Sequence, residues 1–264
     1  MNWRRIQALA LRYTFLYTRS VPRVAEMFFW PVMDLLVWGM ITVYLLRIDN
    51  RVPALFTFLI GAMIFWDILY RAQQAVTISF LEDIWARNLL NIFVAPVRVS
   101  EFIMATYVVG FVKILVTVAV LASLALALYK WNLFDMGFAL VPLFANLLLM
   151  GWAVGMVTTA LILRWGQSAE ALAWGIPFLI QPISAVFYPL DVLPRWIQPI
   201  ALGIPATHVF EGMRQVLRGD GLSAQYLVWA FSLNVVYLIA AALFFRWMFE
   251  VARQKGLLAK LGTQ

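Results

Sequence analysis

Residues 102–128 read FIMATYVVGFVKILVTVAVLASLALAL, a run in which Lys113 is the single charged side chain. About 20 consecutive apolar residues cross the ~30 Å hydrocarbon core of a bilayer as a helix, so this stretch is expected to span one. Working outward, five further stretches repeat the pattern: 24–46, 53–76, 137–163, 172–188 and 222–249. The fifth in chain order, 172–188, is short and carries Pro177 and Pro182. The expected fold is an all-α integral membrane protein with six transmembrane helices.

Composition agrees. The chain of 264 residues is 64% hydrophobic and 12% charged, with a mean hydropathy of +0.86. A soluble domain carries about a quarter charged residues, and too few polar side chains are present here to cover a water-facing surface. The formal net charge is +7. A basic balance signals nucleic acid when it clusters on a soluble face, but here Lys and Arg flank apolar runs, so no nucleic-acid partner is expected. With the N-terminus inside, 13 of the 20 Lys and Arg, Lys260 among them, fall on the inner side, 6 fall on the outer side, Arg51 among them, and Lys113 lies within a span. That asymmetry favours both termini in the cytoplasm; the expected location is the plasma membrane, the inner membrane of a bacterium.

Ahead of the first span, residues 3–20 form an amphipathic pattern. Trp3, Ile6, Ala10, Tyr13 and Tyr17 recur at steps of three and four, while Arg5, Arg12 and Arg19 share another face. A helix of that kind lies in the membrane interface, arginines among the headgroups. Arg4, Arg5, Arg12 and Arg19 also interrupt any apolar core that a cleavable signal peptide would need.

Two connections are long. The inner one, 77–101, holds Glu82, Asp83, Trp85, Arg87 and Asn88 and is expected to form a short helix along the inner surface. The outer one, 189–221, is broken by Pro189, Pro194, Pro199 and Pro205 yet remains apolar. It reads as short re-entrant or interfacial helices, since irregular backbone at membrane depth must be buried in protein or line a wet cavity. No internal repeat or linker divides the chain, so residues 1–264 read as one membrane domain.

The chemistry present is sparse. There is no cysteine, no GxxxxGK[ST] phosphate loop, no HExxH, no GxSxG and a single histidine, His208, read as structural. No catalytic or metal site is expected. Asp34 and Lys113 each lie eleven residues into a span, about 17 Å deep at 1.5 Å per residue. They can pair in mid-membrane, either to fix helix packing or as a polar point on a transport path. Asp67 and Arg71, four apart, permit a helix ion pair. Gly151 and Gly155 form a GxxxG that serves internal packing or a dimer face.

The stretch VFYPLDVLPRWIQPIALGIPATHVFEGMRQVLRGDG, residues 186–221, resembles the closing segment of type-2 ABC exporter permeases. That family carries an aromatic-Pro, a Leu-Pro, a further Pro and an acidic-x-x-Arg, here Phe187, Tyr188, Pro189, Leu193, Pro194, Pro205, Glu211 and Arg214. The stretch LEDIWARNLLNIFVAPVRVSEFI, residues 81–103, is similar to the family's coupling region. The resemblance implies a permease homodimer in membrane lipid, with cytoplasmic ATPase subunits that hold ATP and Mg. It implies that Glu82, Asp83, Trp85, Arg87 and Asn88 dock into the ATPase. It further implies outward movement of an amphiphilic, lipid-like or glycan substrate, with Phe187 and Tyr188 at an outer gate. Phe178, Gln181, Asp34 and Lys113 are candidates for the path. Two rivals compete: an ion-coupled secondary transporter, which calls for inverted repeats and several intramembrane ionisable groups, and a non-transporting scaffold, which would tolerate joint loss of Asp34 and Lys113.

Overall fold

The computed structural model describes residues 1–48 and 53–257, the side chains of 53–57, 89, 90, 93 and 167 excepted; Arg51 and Lys260, counted above, lie outside the described residues. Every regular element among the described residues is helical. The chain runs α1 (Trp3–Thr18), α2 (Val21–Ile48), α3 (Pro53–Trp85), α4 (Leu89–Val94), α5 (Val99–Tyr129), α6 (Leu140–Trp165), α7 (Ala171–Ile183), α8 (Gln198–Leu202), α9 (Pro205–Leu217) and α10 (Ala224–Gln254).

The long helices alternate in direction, and their ends form two apolar layers. One layer joins α1 to the end of α3, the start of α5, the end of α6, the start of α7 and the end of α10, through Tyr13, Leu81, Phe102, Leu163, Ala173 and Phe245. The other joins the start of α3 to the end of α5, the start of α6 and α9, through Ile60, Leu121, Leu143 and Phe210. The first is the layer that sequence places on the inner side.

Among the described residues, four helical runs are long and apolar enough to cross a membrane: Val21–Ile48, Val99–Tyr129, Leu133–Trp165 and Ala224–Gln254. Two of the six expected spans differ. The fifth ends at Ile183 rather than 188, so α7 has 13 residues. At 1.5 Å per residue that is about 20 Å, too short to cross alone. The second runs on past 76 to Trp85, 33 residues in all. The expected surface helix over 77–101 is therefore divided: 77–85 continue α3, Leu89–Val94 form the separate α4, and 99–101 already belong to α5. Continuation is favoured because Phe80, Leu81 and Ile84 keep an apolar stripe pointed at α1 and α5.

Residues Ala62–Met63–Ile64–Phe65–Trp66 and Ile68–Leu69 of α3 are all buried, because α2, α5, α6, α7 and α9 surround it. Its closest neighbour is α6, and glycines set the distance. A Cβ added at Gly151 would stand 2.5 Å from the Leu69 carbonyl oxygen, and one at Gly155 would stand 2.8 Å from that of Gln73. The GxxxG thus packs internally, against α3 of the same chain. Burial lets α3 carry polar side chains. Prolines inside α2 and α7 remove the N–H that would bond the carbonyl four residues back. Pro31 frees Met27, whose oxygen accepts from Arg71 Nη2 at 2.8 Å. Pro177 frees Ala173, whose oxygen accepts from Gln73 Nε2 at 3.2 Å and Gln74 Nε2 at 2.9 Å. On the far side of α6, buried Asn234 of α10 donates to the backbone and side-chain oxygens of Asn146 at 3.0 and 2.9 Å.

Gly151→Leu should force α3 off α6. Overpacking a close contact costs about 1–3 kcal/mol, so the midpoint of thermal unfolding in detergent should fall clearly. Gly175→Ala, with no atom within 4 Å of the added Cβ, should leave it unchanged. Equal midpoints for the two variants would refute the close-approach role.

Candidate functional site

The residues singled out by sequence fall into three groups. The first is the outer turn between α7 and α9. Two prolines and a left-handed Ala185 (φ 51°) end α7 and turn the chain. Arg214 and Glu211, one turn apart on α9, brace that turn. Arg214 is 4% exposed, and its Nη1 donates to Glu211 Oε1 at 2.7 Å. Its Nη2 donates to the carbonyl oxygens of Ala185 and Val186, the latter at 3.1 Å. The guanidinium also lies 4.3 Å from the centre of the Phe58 ring of α3. Glu211 Oε1 accepts from Leu190 N at 2.8 Å, fixing the start of the short turn Leu190–Val192 that follows Pro189. Burial pulls the Arg214 pKa down to about 10 while Glu211 opposes the shift, so the group stays charged at neutral pH and the brace is an ion pair.

The aromatic pair sits on this brace. Phe187 stacks on Trp38 of α2, centroids 4.2 Å apart and planes 15° apart. Tyr188 turns its hydroxyl back to donate to the Pro182 carbonyl oxygen at 2.5 Å. Phe178 of α7 is exposed beside Tyr70 of α3, 5.8 Å between centroids. Gln181 is half-buried on the same helix. Pro194 accepts from Ile197 N at 2.8 Å, opening the turn into α8, and Pro205 occupies the first turn of α9, where no N–H is needed.

The second group is the intramembrane charges, and here expectation and structure part. Asp34 and Lys113 do not meet. Asp34 is exposed on α2 and its charged neighbour is Arg71. Arg71 donates from Nε to buried Asp67 Oδ2 at 2.6 Å, completing the i,i+4 pair. Lys113 turns away, toward α1, with its Nζ 2.9 Å from the centre of the Tyr17 ring. Four methylenes let a lysine reach well away from its Cα, and toward an interface it does so.

The third group lies at the inner end of α3, and it splits in two. Asp83 is fully buried: Arg12 Nη2 donates to its Oδ1 and Tyr13 Oη to its Oδ2, the latter at 2.5 Å. Burial and the neighbouring carboxylate push the Tyr13 phenol above its ordinary range, so it stays a donor. Glu82 is nearly covered and lies 3.8 Å from Arg23. These two carboxylates therefore clamp α1 and the start of α2 onto α3 and are covered by them. Trp85 and Arg87 are both exposed, with Arg87 in the left-handed region at φ 52°. Trp85 Nε1 donates to Glu170 Oε2 at 3.3 Å, just before α7. Asn88, half-buried, accepts from Asn91 Nδ2 at 3.0 Å.

Sequence reading missed the clamp's other half, Arg12 and Tyr13, and also Glu101. The carboxylate of Glu101 accepts from Asn2 N at 2.6 Å and Arg98 N at 2.9 Å, tying the N-terminus to α5. For Arg12 and Tyr13 a signal existed, a buried stripe on α1 needing an anionic partner. For Glu101 nothing local marked the contact, which joins residues 99 apart.

No family model matches the chain. Over 185 residues, 69% of its length, the chain is 29% identical to ABC transporter G family member 20 of Dictyostelium discoideum. The match spans 25% of that relative. Similarity of this extent points to the ABC transporters at most. With four helices among the described residues long and apolar enough to cross a bilayer, the chain has the make-up of a multi-pass membrane protein.

Arg214→Ala would leave Glu211 and two carbonyl oxygens without their donor. Breaking a buried pair costs about 3–5 kcal/mol, so the variant should lose folded protein in detergent extracts, measured by size-exclusion yield. Arg214→Lys, which keeps charge but not the fork, should fall between. A normal yield for the alanine variant would show that the brace is dispensable.

Proposed function

We propose that this chain is the permease subunit of an ATP-driven exporter, working as a homodimer with a separate cytoplasmic ATPase and moving an amphiphilic, lipid-like or glycan substrate outward. The observation that carries the reading is the similarity to an ABC transporter over 69% of the chain. Two features add support. The 264 residues hold no phosphate loop, so energy must come from a nucleotide site elsewhere. An exposed tryptophan beside an exposed arginine, Trp85 and Arg87, sits at the inner end of the most buried helix. Trp and Arg are the residues that most often anchor interfaces.

In this reading the chain crosses the membrane six times, with both termini in the cytoplasm. The fourfold set of long apolar helices is joined by α3, shielded inside the protein, and by α7, whose crossing is completed by the turn at 184–189. The second copy packs against the exposed apolar faces of α2 and α7, where Trp30, Val37, Met40, Trp174, Phe178 and Leu179 project. Between those faces runs the path, with Phe178, Gln181 and exposed Asp34 lining it and the Phe187–Trp38 stack at its outer end. ATP binding closes the ATPases, their motion enters at Trp85, and α3 carries it as a rigid rod to the helices it ties.

The ion-coupled alternative rests on Asp34, an exposed carboxylate within a span beside Arg71 and Asp67. It is separated by energy source: a proton gradient alone should drive no transport in vesicles, whereas ATP with the partner should.

Trp85→Ala with Arg87→Glu should reduce the ATPase recovered with the tagged permease from detergent about tenfold, the cost of removing an aromatic anchor and inverting a charge. Full stoichiometry in the double variant would remove the docking surface from this end of α3.

A further inference from the structure

Beside the clamp, α1 leaves a groove against α5 and the start of α2. It encloses about 600 Å³ and is lined by Leu11 and Tyr17 of α1 and by Val108, Val112, Lys113 and Val116 of α5. Val108, Val112 and Val116 are also exposed, so one wall of the groove is continuous with the outer apolar face of α5, the face a bilayer covers. A second cleft adjoins it across Leu11 and is lined by Arg12, Arg19 and Arg23.

The charges of this region are unequally used. Arg12 is taken by Asp83 and Arg23 lies against Glu82. Among the described residues no carboxylate stands within ion-pair distance of Lys113 or Arg19. Each rests on an aromatic ring instead, Lys113 on Tyr17 and Arg19 on Phe15, the latter at 5.1 Å. Glu82, already held by Arg23 at 3.8 Å, acts on Lys113 only at longer range, and an ammonium in an apolar groove at membrane level is costly without an anion in contact. Tyr17 covers one side of it, and the other side opens on the groove. The combination is an apolar slot for a hydrocarbon chain with a cation at its head and guanidiniums alongside.

We propose that this groove holds an anionic phospholipid of the adjoining leaflet, its phosphate against Lys113 and one acyl chain along Val108, Val112 and Val116. The lipid is a fixed component that seats α1 on the bundle and is distinct from the transported substrate. The inference rests on the chain lying in a bilayer and not on its being an exporter. Charge complementarity selects the occupant: a zwitterionic lipid fills the slot equally well but brings its own cation beside Arg19 and Arg23.

The test uses the full chain in nanodiscs of phosphatidylcholine doped with a photoactivatable probe, either phosphatidylglycerol or phosphatidylcholine, with labelled peptides mapped by mass spectrometry. The phosphatidylglycerol probe should label the segment 108–116 in preference to the lipid-facing residues of α10. Lys113→Gln should reduce that labelling about fivefold, the factor one basic residue contributes at an anionic surface. Val112→Trp, which fills the slot at an exposed position and keeps the lysine, should abolish preferential labelling by either probe. Equal labelling by both probes, an even spread over all lipid-facing helices, or unchanged labelling in Val112→Trp would each overturn the proposal. Failure of the chain to enter nanodiscs at all would instead overturn the membrane reading beneath it.

Discussion

Hydrocarbon offers no hydrogen bonds, so a carbonyl released by a proline inside it must be met by another part of the protein. That constraint organises this fold. Pro31 and Pro177 each open one carbonyl, in α2 and in α7. Both oxygens are met from α3, by Arg71 on one side and by Gln73 and Gln74 on the other. The helix that carries these donors could not face lipid, and it does not. It is enclosed by α2, α5, α6, α7 and α9, and the glycines of α6 bring a backbone close enough to seal it. Two bent helices and one polar helix are thus a single unit, each explaining the others.

The same helix joins the two ends of the molecule. At its inner end Asp83 fastens α1, and at its outer end Phe58 lies under the guanidinium of Arg214, which holds the turn after α7. A displacement applied at Trp85 has a stiff, well-packed rod to travel along, with no flexible joint described between residues 53 and 85. Stacking of Phe187 on Trp38 also ties that turn to α2.

Much of this could be read from the residues in order. Apolar runs located α2, α5, α6 and α10 to within a few positions, because a bilayer demands length and composition, both of which are local; α3, buried in protein, ran on to Trp85, and α7 stopped short at Ile183. The motif Glu211-x-x-Arg214 was visible as well, through the resemblance to the permease family, and the i,i+3 spacing explains why the two groups meet. What spacing could not reveal was which partner each charge would take. Asp34 and Lys113 lie at equal depth by counting residues, yet a lysine's reach carried its charge to Tyr17, and Arg71 stood nearer the aspartate. Glu82 and Asp83 were expected at a surface because their segment resembles a coupling region; they are covered because α1, some seventy residues earlier, folds back over them. Long-range contacts of this kind leave no periodic trace.

The asparagine pair between α6 and α10 has a bearing on how the molecule is made. Asn234 sits in a helix otherwise greasy enough to enter lipid unaided, and its amide is matched only by Asn146, which precedes it by 88 residues. Synthesis runs from the N-terminus, so the acceptor is already in place when the donor emerges. Burying an amide in hydrocarbon is unfavourable until that match forms. The pair thus favours one axial register of α10 against α6, since a slipped pairing would leave the amide donor unmatched in hydrocarbon.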